Sequence, residues 1–180
     1  MTNENTILEQ LQNVKTRRVG FENLVKQYSE SLYWMIRRIV LVHDDANDIL
    51  QNTFIKAWNN IDTFQGKSSL NTWLSRIAIN ESLDFLRHQK AHSFVSTDDN
   101  ISLATKLLAD NYFDGDETQA QLQEAIAQLP DVQRTVFNLR YYKGMKYSEM
   151  SKVLNTSEGA LKASYHQATK KISNYFHHHD

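Results

Sequence analysis

"KYSEMSKVLNTSEGALKASYHQATKK", residues 146–171, reads as a short helix, a reversal at Asn155-Thr156 and a longer helix with a basic end. Met150, Val153 and Leu154 give the first helix a buried face. Leu161, Tyr165, Ala168 and Ile172 repeat at four, three and four and give the second helix its buried side. Asn155 tolerates the left-handed conformation that a tight reversal needs, and Ser157 is a good N-cap for the helix that follows. Lys162, His166, Gln167 and Lys170 fall on other faces, where a helix-turn-helix would bring them to a major groove. An αα-hairpin with a solvated basic face satisfies the same pattern, so these residues alone leave the choice open.

The charge balance argues at first against DNA. The chain has 180 residues, formal net charge -1 and a pI near 6.7, whereas a binder of duplex phosphates normally carries a basic excess. Near-neutrality is an average, however. Residues 1–90 hold 11 Lys and Arg against 10 Asp and Glu, residues 91–121 one against six, and residues 122–180 eight against five. Two weakly basic ends flank an acidic middle.

Working outward, the first ninety residues predict three long helices. Phe21, Leu24, Tyr28, Leu32, Met35 and Ile39 form one apolar stripe. Ala46, Ile49/Leu50, Thr53/Phe54, Ala57 and Ile61 form a second, behind Asp44 and Asp45, which suit a helix N-terminus. "DTFQGKSS" interrupts the pattern at Gly66. A third helix starts near Ser69 and runs through Leu70, Trp73/Leu74, Ile77, Leu83 and Leu86, with Trp73 and Ile77 read as part of its core stripe. From His88 to about Glu117 the pattern weakens into acidic, loop-like sequence, with at most a turn or two of helix in "ISLATKLLA". Four more helices are expected: Leu122–Leu129, one after Pro130, and the two of the opening stretch. Only five glycines and one proline exclude an all-β chain. With no cysteine there is no disulfide, thiolate metal site or cysteine nucleophile. No 18-residue apolar run exists, and the polar start "MTNENTILEQLQ" is unlike a signal peptide, so the expected location is the cytoplasm. The fold class is all-α: two small helical domains, 1–90 and 122–180, joined by a flexible acidic linker, 91–121.

Two blocks carry a resemblance. "DANDILQNTFIKAWNNIDTFQGKSSLNTWLSRIAINESLDFLR", Asp45 to Arg87, resembles region 2 of bacterial sigma factors of the extracytoplasmic-function group. "LPDVQRTVFNLRYYKGMKYSEMSKVLNTSEGALKASYHQATKKI", Leu129 to Ile172, resembles region 4. The resemblance implies a non-enzymatic sigma factor without cofactor or metal. It would bind core RNA polymerase, direct it to promoter DNA, help melt the duplex, and answer to an anti-sigma factor, possibly membrane-anchored. It also implies that polymerase carries much of the DNA contact, so the sigma subunit itself needs no large basic excess, and that the acidic linker lies in the polymerase cleft; a plain solvated tether reads the same charge.

What the resemblance implies can be placed on residues. Asp48, Gln51, Asn52 and Ile55 match the positions that dock on polymerase, and they share one helix face. Asn52 stands where an acid is common, which implies one charge pair fewer. Phe64, Gln65, Gly66, Lys67, Ser68 and Ser69, then Asn71, Thr72, Arg76 and Asn80, match the surface that reads and opens the minus-ten element. Lys67 and Arg76 would hold phosphates, and the Asn80 amide can read the edge of an unstacked base; Trp73, part of the core stripe on spacing, has stacking on DNA as its other reading. Ser157, Glu158, Gly159, Lys162, Ala163, His166, Gln167 and Lys170 match the helix that reads the minus-thirty-five element; Ala163, Ser164, Gln167 and Thr169 replace more typical residues there. Two other readings stay open at this point: a helix-turn-helix regulator that binds DNA without polymerase, and a protein-only adaptor. His43-Asp44-Asp45 and the terminal "HHHD" are not read as metal sites.

Overall fold

The computed structural model describes residues 4–92 and 115–179. Among them are eight α-helices and no strand: α1 (Glu4–Gln12), α2 (Arg17–Val40), α3 (His43–Asn60), α4 (Leu70–His92), α5 (Glu117–Ala127), α6 (Asp131–Tyr141), α7 (Tyr147–Leu154) and α8 (Glu158–His179). A short 3₁₀ turn, Ile61–Thr63, follows α3. The chain divides into two compact units, residues 1–90 and 91–180.

In the first unit α1 packs on α2 and α2 on α3. Leu24, Leu32, Met35, Ile36 and Ile39 of α2 and Ala46, Ile49, Thr53 and Ala57 of α3 are buried. Leu41 ends α2 in the left-handed conformation, φ 72°, and its N–H reaches the Arg37 carbonyl. Helix α1 is absent from the sequence-based expectation. Its signal was short: Ile7 and Leu11, one turn apart, are buried and Leu8 is half-buried, while the rest of the stretch is polar. Gly20 lets α1 approach, because a Cβ there would stand 2.7 Å from Gln10 Cβ and 2.9 Å from the Leu11 nitrogen.

Helix α4 corrects a second expectation. Its buried face is Leu70, Leu74, Ser75, Ala78, Ile79, Ser82 and Leu86. Trp73 and Ile77 lie at the margin, half-buried, because the inward arc is centred one position further along than the stripe read from apolarity alone. Small Ser75 and Ala78 fill that arc. Both serines can be buried, and Ser82 bonds the Ala78 carbonyl at 2.8 Å.

In the second unit the core is Ala125, Ile126, Leu129, Phe137, Ala168 and Ile172, with Leu122, Tyr142, Tyr165, Tyr175 and Phe176 packed around it. Helix α5 begins at Glu117, five residues earlier than the expected Leu122, because the Asp116 carboxylate caps it by accepting the Gln119 N–H at 2.8 Å. At its other end the expected linker loses residues 91 and 92, which continue α4; residues 93–114, with the expected turn or two of helix in "ISLATKLLA", lie outside the described residues. Of the expected apolar face of α7, Met150 is fully buried and Val153 and Leu154 are half-buried.

Candidate polymerase and nucleic-acid interfaces

On α3, Asp48, Gln51, Asn52 and Ile55 are all exposed, Ile55 by 58%. They are neighbours because the opposite side, Ile49, Thr53 and Ala57, is locked into the core. The face continues to Trp58, 42% exposed, whose ring meets Phe21 edge-on at 4.9 Å. Trp58 was not singled out from the sequence, although the spacing 51, 55, 58 extends the same helical register. Ile55 and Trp58 thus form an apolar spot on a polar face, the composition of an interface centre with a polar rim. Behind it, at the start of α3, burial together with Asp48 and Asp44 holds the Asp45 carboxyl above its ordinary range. His43 directs Nδ1 to the Tyr33 hydroxyl (2.7 Å) and Nε2 to the Asn47 amide (3.0 Å). Among the described residues no three His, Cys, Asp or Glu side chains converge as a metal site.

The loop between the 3₁₀ turn and α4 presents Gln65, Gly66, Lys67, Ser68 and Ser69 to solvent. Gly66 adopts φ 68°, a conformation that costs a side-chain-bearing residue more. Phe64 is half-buried and its ring lies 5.3 Å from that of Trp73. Ser69 opens α4: its Oγ accepts the Thr72 N–H at 3.1 Å, and its hydroxyl lies 3.0 Å from that of Thr72. Asn71, Arg76 and Asn80 are exposed and Thr72 half-exposed. Arg76 and Asn80 border a groove of about 400 Å³ whose walls also include Lys56, Asn60, Trp73 and Glu81. Lys56 and Glu81 form an ion pair along it, joining α3 to α4. Trp73, read from sequence as core, is therefore a groove wall. The arrangement offers cations for phosphate, an amide for a base edge, and aromatic surface for stacking.

In the second unit α7 and α8 meet through Asn155, left-handed at φ 49°. Ser157 Oγ accepts the Ala160 N–H at 3.3 Å. Ser157, Glu158, Gly159, Lys162, Ala163, His166, Gln167 and Lys170 are all exposed, because Leu161, Ala168 and Ile172 take the buried side. Two of the exposed residues are held from outside α8. Lys162 Nζ lies 5.7 Å from the centre of the Tyr147 ring, which Arg140 also approaches at 5.1 Å. Gln167 Oε1 accepts the Gln133 amide at 2.8 Å, so its own amide N–H₂ is oriented outward. No open space around Gly159 is filled by neighbours; a small residue there leaves the start of α8 accessible to a backbone. The second unit is fastened by Arg134, 6% exposed, which donates to the Ala127 and Leu129 carbonyls and to Asp131. Burial lowers its pKa and Asp131 partly restores it.

Sigma-70 region 2 matches residues 24–92, and Sigma-70, region 4 matches residues 119–172. The ECF RNA polymerase sigma factor SigW of Bacillus subtilis is 28% identical over 162 residues, covering 85% of this chain and 87% of that protein. Among solved structures, CnrH, in complex with the cytosolic domain of CnrY, superposes with a TM-score of 0.70 at 23% identity over 99% of this chain and all of that one. RpoE of Bartonella quintana, in complex with the anti-sigma factor NepR, gives 0.69 at 21% identity over 87% and 96%. Both solved structures share the fold. A match to both regions in this order disfavours a regulator that works without polymerase. The chain belongs to the sigma-70 family, as an RNA polymerase sigma factor of the extracytoplasmic-function group.

Proposed function

We propose that three separate surfaces divide the work of this sigma factor. The α3 face, Asp48, Gln51, Asn52 and Ile55 with Trp58, binds core RNA polymerase. The loop and outer side of α4, Phe64, Lys67, Ser68, Ser69, Asn71, Thr72, Arg76 and Asn80, read and open the minus-ten element of promoter DNA. The exposed side of α8 with its cap, from Ser157 to Lys170, reads the minus-thirty-five element. Residues 1–90 and 122–180 are the two working domains and 91–121 the tether. The protein acts in the cytoplasm, carries no catalysis of its own, and is released from an anti-sigma factor that covers the first two surfaces.

The groove beside Asn80 carries this reading. It joins Arg76, the amides of Asn60 and Asn80 and the Trp73 ring, which Phe64 backs at 5.3 Å, on the one side of α4 that the core leaves open, beside Glu81, paired with Lys56, and Asp84. Transcription with purified core polymerase on a genomic promoter library tests it. Start sites that share upstream and minus-ten elements are expected. Binding of promoter duplex in the absence of polymerase, with no transcription in its presence, would refute it.

A further inference from the structure

Within the loop 64–69, Phe64 N–H reaches the Ile61 carbonyl at 3.1 Å and Ser68 Oγ the Ser69 carbonyl at 3.4 Å, and Ser69 caps α4 by accepting the Thr72 N–H on Oγ and the Trp73 N–H on its carbonyl, both at 3.1 Å. The loop's two stems are also fastened to the N-terminal segment. On the entering side, Arg17 grips Asp62 of the 3₁₀ turn with two bonds, 2.6 and 3.3 Å, and donates through Nε to the Leu11 carbonyl at the end of α1, 3.1 Å. On the leaving side, the Leu70 N–H, first in α4, donates to Glu4 Oε1 at 2.7 Å, while Glu4 Oε2 accepts the Tyr28 hydroxyl at 3.3 Å. Leu70 is fully buried, so its amide has little access to water, and the first N–H groups of a helix have no partner inside the helix. A carboxylate suits that end of the helix. Helix α1 is a firm reference for both contacts, since Ile7 and Leu11 are buried and Gly20 seats it closely on α2.

We propose that the N-terminal segment clasps the DNA-reading loop: Glu4 and Arg17 set its two stems and are positioning residues for promoter opening, without touching DNA. This rests on the assignment of the loop and α4 to the minus-ten element. The exposed Arg17–Asp62 pair is worth little as a surface ion pair; its two-pronged geometry and the added carbonyl bond give it directional value. Glu4 is the stronger arm, because a charged acceptor meets a buried amide.

The experiment uses the full chain with Glu4→Ala, Glu4→Gln and Arg17→Ala, beside Asn80→Ala. Amide exchange in the free protein is read first. Glu4→Ala is expected to speed exchange over Leu70–Thr72 about tenfold, with α2 and α3 protection unchanged. Glu4→Gln, which keeps an acceptor, is expected to restore most of the protection, and Arg17→Ala to loosen Asp62–Phe64. Unaltered exchange in Glu4→Ala overturns the clasp. Permanganate footprinting with core polymerase is read second: Glu4→Ala should reduce opening severalfold at unchanged polymerase affinity, with rescue by Gln. Normal opening in Glu4→Ala while Asn80→Ala is impaired overturns the positioning role and leaves the reading of α4 intact. Normal opening in both removes the assignment of this surface, and the positioning role with it.

Discussion

Arg134 is a cation placed almost wholly out of water, at 6% exposure. It is tolerable there because two carbonyls at the end of α5 and the Asp131 carboxylate accept its protons. Replacing it by Met strands the two carbonyls and removes the guanidinium from the partly buried Asp131. The expected loss is about 3–5 kcal/mol, measurable by urea unfolding of the second unit's signal. Asp45 gives a pH-dependent case with the opposite sign. Burial first, then Asp48 and Asp44, disfavour its ionised form. The folded state therefore holds a proton that the unfolded chain releases from about its ordinary value of 3.8 upward. Stability falls as pH rises through that window and stays lower above it. Asp45→Asn should raise the melting temperature at pH 7, and the gain should vanish below pH of about 3.5. A gain that persists in acid would assign the effect to something other than ionisation.

Elements extend these arguments to faces and seams. Gly20→Ala places a Cβ against Gln10 Cβ and a backbone nitrogen. Backbone cannot yield by a rotamer change, so α1 must shift, at about 1–3 kcal/mol. Thermal melting of the variant checks this. On α3, Gln51→Ala with Ile55→Glu puts an unpaired charge at the centre of the face proposed to bind polymerase. Both positions are exposed, so the fold should survive while polymerase capture falls by several kcal/mol. An undiminished pull-down by the folded double variant would exclude the face. On α8, Lys162→Ala should weaken promoter use evenly, since a phosphate contact carries no sequence. His166→Ala should change preference at one or two base pairs by about 1–3 kcal/mol. A promoter-variant series scored by transcription separates the two.

At the scale of the molecule, charge is the informative quantity. The basic excess of residues 122–180 is three, and the acidic excess of 91–121 is five. The second unit has its own core, so residues 115–180 expressed alone should fold. They should also bind a minus-thirty-five duplex more tightly than the whole chain does at low salt. Equal affinities across a salt series would show that the acidic stretch does not oppose DNA binding.

Periodicity made most of the fold legible: the helices α2, α3, α7 and α8 repeat apolar residues often enough for spacing to place them, whereas α6 was placed by Pro130 before it. The exposed sides of α3 and α8 followed by elimination, since the buried side was unambiguous. Where apolar pattern and burial part company, only the tertiary structure decided. Helix α1 fully buries only Ile7 and Leu11 and is polar apart from Leu8, so its seat depends on the missing Cβ of Gly20, a contact with a residue nine positions beyond Leu11. Trp73 is apolar yet stands on the groove wall, because α4 turns Ser75 and Ala78 inward and bulk is not what that interface accommodates. Arg134 is charged yet buried, because beside Asp131, three residues before it, two backbone carbonyls that sequence does not display accept its N–H groups. The bonds from Glu4 and Arg17 to the stems of the loop join residues 66 and 45 positions apart, and no local pattern encodes such a pairing.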